Sequence, residues 1–589
     1  MSEVDVSITI GGDAGQGIES SGAAWGRAVA RAGLHLFSLT DYRSRIRGGH
    51  NFYQTRASLR PVNSHRDPVQ LLLALTEETV KVHLGNVARG GIVVYDEDFR
   101  RVDADEIRRA GVVPLPLPLA RQAAELGSKV MMNTLMLGVA AGLLHFDVGY
   151  LEGVIQDLFR GRSAQVVQNN LAALAQGFRW GRDHSGMWPV RLPAPGGKAR
   201  MALHGNHAFA LGAAAGGCRF IAAYPMTPAT PIFEWLVAKG SRLGIVTKHA
   251  EDEIAAVCMA IGAAHAGARA MTATSGAGFA LMSEALGLAG MVELPLVLVV
   301  SQRGGPSTGL PTRTEQADLL FALHASHGEF PRIVLAPGTV EECFEAGWRS
   351  FNLAERYQTP VIVLLDQFLS ASVKTVEPDD FSLSDVVIDR GLTLTGAELD
   401  QLTEPYLRYQ DTPSGVSPRA VPGHPKAVYA MTSDEHDEEG HITEELPNRI
   451  LMMRKRMRKE QTAVADMGEP RLYEGDGEDL TLVCWGSTVG PAREAAQILS
   501  AGGIDVNVLH FSDLWPLPVK EVAAALGRCR RTLVVEQNYT GQLARWLRQV
   551  TGFTVDAVLH KFDGRPFSPQ DISTYARRVL ADLAPTAAD

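Results

Sequence analysis

Between Arg219 and Leu310, short apolar runs alternate with small-residue segments four times over, a pattern that few architectures can accommodate. The runs 219–224, 244–248, 269–274 and 294–301 are β-branched or apolar and end in turn residues, so they are expected to be strands. Between them, 232–239, 252–266 and 279–291 are long enough for crossover helices. Strand, helix and strand in this rhythm make a parallel sheet covered on both faces, and such sheets gather ligands at the carboxyl ends of their strands. The residues expected there are Tyr224-Pro225-Met226-Thr227-Pro228, an acidic cluster ending in Glu253, Thr274-Ser275-Gly276-Ala277-Gly278, and Ser301-Gln302-Arg303-Gly304-Gly305.

The remaining chain is long enough for several such cores, at 589 residues. A formal charge of -10 argues against a general nucleic-acid or anionic-membrane partner. No apolar run approaches the roughly 18 residues a membrane helix needs, and Glu3 and Asp5 precede the first strand, so a cytoplasmic location is expected. The five cysteines (Cys218, Cys258, Cys343, Cys484, Cys529) form no C-x-x-C pair, which leaves no usual zinc or iron–sulfur spacing and suggests reduced core residues.

In chain order, the apolar run 4–10 leads into Gly11-Gly12-Asp13-Ala14-Gly15-Gln16-Gly17 and a helix starting near Ile18. A glycine-rich turn at a helix N-terminus suits a phosphate, so Gly12, Gly15 and Gly17 are candidates, although a tight turn without ligand gives the same pattern. The basic loop that follows, with Arg43, Arg45 and Arg47, reads either as a ligand or subunit contact or as a solvated turn. The domains are expected at 1–182, 201–376 and 471–589, joined by a Pro/Gly linker at 183–200 and an irregular segment at 377–470. Within that segment the acidic run 434–439 and the basic helix 452–459 read as solvated faces.

Four motifs in order then acquire a joint meaning: YPMTPAT (224–230), EDEIAAVCMAIGAAHAG (251–267), SQRGGPSTGLPTRTEQADL (301–319) and VVEQNYTGQLARWLR (534–548). Together they resemble the alpha subunit of 2-oxoacid:ferredoxin oxidoreductases, in the form with the gamma domain fused N-terminally, and most closely the 2-oxoglutarate enzymes. The resemblance covers essentially the whole chain. It implies an α/β protein of several doubly wound domains: a Gly-rich gamma domain, a thiamine pyrimidine-type domain and a transketolase-C-like domain. It further implies thiamine diphosphate shared with a beta subunit, 2-oxoglutarate and coenzyme A as substrates, ferredoxin as acceptor, and a dimer of alpha–beta heterodimers. A carrier of pyruvate or branched-acid chemistry, or a scaffold subunit without chemistry, are the alternatives.

Residue by residue, the family's activating glutamate stands nine residues before a glycine, which Gly262 fixes as Glu253, with Glu251 as the alternative. Acids in a first helical turn also simply complement the helix dipole. Thr227 and Arg303 match the family's substrate-binding threonine and arginine; Arg313, Arg45 and Arg47 are candidates for the distal carboxylate. Tyr224, Pro225, Thr274, Ser275 and Gly276 would border the cofactor. The magnesium motif of thiamine enzymes, GDG followed downstream by adjacent asparagines, is lacking, because Gly475-Asp476-Gly477 is followed only by Asn507 and reads as a surface turn. No metal site is therefore expected in this chain, and Mg2+ and the four-iron cluster are expected in the beta subunit.

Overall fold

The computed structural model describes residues 4–42, 49–193, 196–476 and 478–582. The chain divides into two compact units. The first comprises Met1–Leu203 with Ala371–Pro378 and Ser568–Gln570. Its eight-stranded sheet runs in the order Val113–Leu117, Val87–Asp96, Val69–Ala74, Asp5–Asp13, His50–Ser58, His35–Asp41, Val373–Val376 and Met201–His204. The Asp5–Asp13 strand pairs parallel with Val69–Ala74 and antiparallel with His50–Ser58, so this sheet is mixed. Two helices of this unit, Met132–Leu144 and Ala164–His184, pack backbone against backbone, because a Cβ on Gly177 would lie 2.0 Å from the Leu135 carbonyl oxygen. Glycine is the one residue that permits such an approach.

The second unit, His204–Ser370 with Asp379–Phe567 and Asp571–Asp589, holds two sheets. The larger has the order Asp513–Trp515, Ile333–Leu335, Pro360–Asp366, Leu296–Gln302, Ala270–Thr274, Phe220–Ala223 and Val246–His249. All its pairings are parallel except that of Asp513–Trp515. Leu296–Gln302 is buried throughout, as a strand covered on both faces must be, and its near-continuous Val/Leu composition follows from that. The smaller sheet, Arg471–Glu474, Val506–Phe511, Leu480–Trp485, Thr532–Glu536 and Ala557–His560, is parallel but for its first strand. The α/β class and the four strands of the central motif are as the sequence indicates.

Three expectations are corrected. The helix read over 279–291 is two helices, Gly276–Leu281 and Ser283–Met291, separated at Met282. Ser283 Oγ donates back to the Ala280 carbonyl, a local bond that competes with the helical ladder. Second, Cys218, Cys343 and Cys484 are buried, but Cys258 is exposed and Cys529 half-buried. Third, the basic helix is longer than expected, Leu446–Ala463, and three of its cations are not solvated: Lys455, Arg456 and Lys459 are at most 1% exposed, while Arg454 is exposed. Lys455 Nζ lies 2.7 Å from Glu293 Oε1, Lys459 pairs with the other oxygen of the same carboxylate, and Arg456 grips Glu435 at 2.9 and 2.6 Å. Arg408 adds a hydrogen bond to the Glu293 carbonyl oxygen at 2.6 Å. Burial would raise the Glu293 carboxyl, but the two ammonium groups and Arg408 outweigh it and hold the group well below the usual carboxylate range. A segment that looks irregular in sequence is thus tied to the sheet domain by desolvated ion pairs.

Candidate active site

The strands of the larger sheet end together at Ala223, His249, Thr274 and Gln302, and the candidate residues follow directly after them. Asp252 caps the helix Glu253–His265, its carboxylate accepting the Ala255 N–H at 2.7 Å, so Glu253 is the first helical residue. Glu251 lies outside the helix. The inner face of this helix is Glu253, Ala256, Val257, Ala260, Ile261 and Ala264, all buried, and small side chains let it lie close to the sheet. Glu253 is 4% exposed, and its Oε1 is buried with no hydrogen-bond partner among the described residues. A buried polar atom left unmade is costly, by about 1–3 kcal/mol or more for a charged group, so an orphaned carboxyl oxygen at a strand end marks a place where something binds.

Gly278 forms the wall opposite. A Cβ there would lie 2.1 Å from Thr274 Oγ1 and 2.8 Å from both Cγ and Oε1 of Glu253. Gly278→Ala is therefore expected to displace the Glu253 carboxyl. A shift of that order in a catalytic group costs about a hundredfold in turnover, read from steady-state rates of the assembled enzyme. Thr274 is fully buried, with Oγ1 3.8 Å from the Met226 sulfur. Ser275 is fully buried too, and its Oγ is a second orphan in the same place. Tyr224, 40% exposed, stands at the open side.

Arg303 and Thr227 are brought together: Arg303 Nη1 donates to the Thr227 carbonyl oxygen at 2.7 Å. Burial lowers the Arg303 pKa somewhat, with Asp318 opposing. From the other side, Asn206 Nδ2 donates to the Pro228 carbonyl oxygen at 2.7 Å, so both peptide carbonyls of the turn are held. Asn206, 1% exposed, was not legible as a site residue, because its partner lies on another element. Asp318 was missed for the same reason. Its backbone N–H donates to Gln302 Oε1 at 3.0 Å, and its carboxylate lies where a Cβ on Gly276 would be, at 2.6 Å.

Arg313 closes the loop after the fourth strand, its carbonyl oxygen accepting the Gly304 N–H at 3.1 Å, and its Cβ packs at Gly564. Arg45 and Arg47 lie outside the described residues. In the first unit, Gly15 and Gly17 have φ of 90° and 76°, and Gly17 precedes the helix Ile18–Arg31 without a side-chain cap. Gln16 folds back so that its Oε1 accepts the Asp13 N–H at 2.8 Å, filling the space beside Gly12, while the space above Gly15 is open. Asp476 of the GDG motif is exposed, its carbonyl oxygen accepting from Asn507; Gly477 is outside the described residues.

Comparison with known proteins gives this geometry a family. Residues 211–455 match the thiamine diphosphate-binding domain of pyruvate flavodoxin/ferredoxin oxidoreductase, residues 7–180 the pyruvate ferredoxin/flavodoxin oxidoreductase domain, and residues 472–557 the transketolase C-terminal domain. The alpha subunit of 2-oxoacid:ferredoxin oxidoreductase 2 from Aeropyrum pernix is 34% identical, over 98% of both chains. The 2-oxoglutarate oxidoreductase subunit KorA of Mycobacterium tuberculosis is 32% identical, over 98% of this chain and 92% of its own. A solved 2-oxoglutarate:ferredoxin oxidoreductase from Magnetococcus marinus, with 2-oxoglutarate, coenzyme A and succinyl-CoA bound, superposes with a TM-score of 0.91. That structure is 36% identical and covers 98% of this chain and 100% of its own. With the orphaned Glu253 carboxyl at the strand ends of its thiamine diphosphate-binding domain, the chain belongs to the alpha subunits of the 2-oxoacid:ferredoxin oxidoreductases.

Proposed function

We propose that this chain is the alpha subunit of a 2-oxoglutarate:ferredoxin oxidoreductase, interconverting 2-oxoglutarate and CoA with succinyl-CoA and CO2 and passing electrons to ferredoxin. The observation that carries the reading is the Glu253 carboxyl, buried, unpartnered and set against Gly278 in a thiamine diphosphate-binding domain. The choice of 2-oxoglutarate within the family is supported by the KorA relatives and by the ligands of the Magnetococcus enzyme.

The residues present suit the cofactor: Glu253 Oε1 is buried without a protein partner, and Thr274, Ser275 and Gly276 with Tyr224 and Pro225 would line the pyrimidine side. When bound, thiamine diphosphate supplies the carbanion chemistry and the electron sink for decarboxylation of a 2-oxo acid. Glu253 would hold a proton at its Oε1 for a ring nitrogen. Arg303 and Thr227 would fix the substrate carboxylate, and the Ser275 hydroxyl supplies a further donor. Of the glycines Gly12, Gly15 and Gly17, the last two would receive a phosphate of coenzyme A, because Gln16 fills the space beside Gly12. Mg2+ and the four-iron cluster are assigned to the beta subunit. The assembly is assigned as a cytoplasmic dimer of alpha–beta heterodimers. No described helix is long and apolar enough to cross a membrane.

The test is viologen or ferredoxin reduction by the anaerobically purified alpha–beta complex. Reduction that requires 2-oxoglutarate and CoA supports the assignment, and none with any 2-oxo acid contradicts it. In the same assay Arg303→Ala is expected to raise KM for the 2-oxo acid roughly ten- to a hundredfold. That is the loss of one charge-assisted hydrogen bond of about 1.5–3 kcal/mol. A variant with unchanged KM would remove Arg303 from the substrate site.

A further inference from the structure

Asp318 is a charged group for which the reaction outlined above has no use, and it stands at its centre. Its backbone is pinned to Gln302, itself 1% exposed and anchored through Nε2 to the Leu365 carbonyl oxygen at 3.1 Å. Its carboxylate occupies the space that a side chain at Gly276 would need, with both oxygens within 2.8 Å of that position. There it accepts no hydrogen bond and makes no ion pair with a described residue. Arg303 acts on it only through space. Burial opposes ionisation of this half-buried carboxylate, which no side chain donates to, while its place at the start of the helix Leu319–His324 and the charge of Arg303 favour the ionised form.

From this juxtaposition, and resting on the assignment of Arg303 to the substrate carboxylate, we infer that Asp318 takes up a proton when the 2-oxo acid binds, so that substrate binding is coupled to proton uptake at this side chain. An anion docked on Arg303 cancels the one positive charge that favours ionised Asp318 and adds a like charge, and both effects drive protonation. The protonated carboxyl then becomes a hydrogen-bond donor facing the anion. The charged groups that face Asp318 are Arg303 and Glu315, the latter in the same loop; Gln302 and Gly276, its other neighbours, carry no charge. Burial already pushes the free Asp318 carboxyl up to about 6, with Arg303 pulling it down. At neutral pH the group is therefore ionised before binding and within reach of protonation after it.

The sign follows from linkage. Below the pKa of the free group the proton is already in place, and affinity is independent of pH; between that pKa and its raised value in the complex each bound anion brings up to one proton, and affinity falls by up to about tenfold per pH unit. The probe is oxalylglycine, an amide analogue of 2-oxoglutarate that cannot be decarboxylated, titrated calorimetrically into the alpha–beta complex with thiamine diphosphate. Two buffers of different ionisation enthalpy at pH 7.5 give the proton count. About one proton taken up per site, with a Kd rising about tenfold from pH 7 to 8, is the expected result. Asp318→Asn should abolish the uptake and flatten the pH profile while binding more tightly at pH 8, and Asp318→Glu should retain the uptake. No uptake by the parent complex, or uptake that persists in Asp318→Asn, would overturn the inference. A complex that prefers pyruvate is titrated with oxamate instead and the same uptake is expected, so the substrate reading can fail while the coupling stands.

Discussion

Glu253→Gln is expected to lower turnover of the alpha–beta complex by about a hundred- to ten-thousandfold, the range for loss of a positioned acid–base group. The substitution keeps the shape and the contact with Gly278 and removes only the ability to exchange a proton. Because Glu253 sits at the first position of its helix and is capped independently by Asp252, the fold is expected to survive. Glu251→Gln, outside that helix, serves as the matched control and is expected to change little. Equal losses in both variants would mean that overall charge, not a carboxyl at one position, carries the effect.

The second large effect concerns stability. Glu293, fully buried, is held by Lys455 and Lys459, which are also buried, and its backbone adopts a left-handed φ of 50°. Glu293→Gln leaves two buried lysines without their carboxylate, and breaking a buried pair in this way costs about 3–5 kcal/mol. Urea unfolding should move to lower denaturant by that amount, whereas replacing all three residues by apolar side chains of similar volume should be close to neutral or stabilising. The pH dependence has a definite sign. The carboxyl is depressed in the folded protein, so its own contribution is lost as acid protonates it, while burial lowers Lys459 to about 7, so that this partner sheds its proton near neutral pH. A Glu293→Gln variant as stable as the parent at pH 7 would show that these ion pairs do not hold the connecting segment.

Three of the central strands were legible because a strand covered on both faces is mainly apolar, as Leu296–Gln302 shows, whereas Val246–His249 stands at the sheet edge and is largely exposed. The burial of Glu253 was legible because an acid followed by alanines at helical spacing enters a tight interface, while its choice over Glu251 came from the resemblance. Lys455 and Lys459 were misread because burial of a cation depends on a partner, and Glu293 lies on a distant element. Asp318 and Asn206 escaped likewise, since each gains its meaning from a contact the chain makes only after folding, with Gly276 and with the Pro228 carbonyl. The break at Met282 is accompanied by a local hydrogen bond from Ser283, which apolar periodicity does not register.

The most direct measurement is CoA-dependent viologen reduction by the alpha–beta complex, comparing kcat/KM for 2-oxoglutarate, pyruvate and 2-oxoisovalerate, with the Glu253→Gln complex run in parallel. The expected result is a preference for 2-oxoglutarate that collapses by at least about a hundredfold in the variant. A variant as active as the parent would contradict the central claim, because the chemistry would then be activated by a group other than the buried carboxyl at the strand ends.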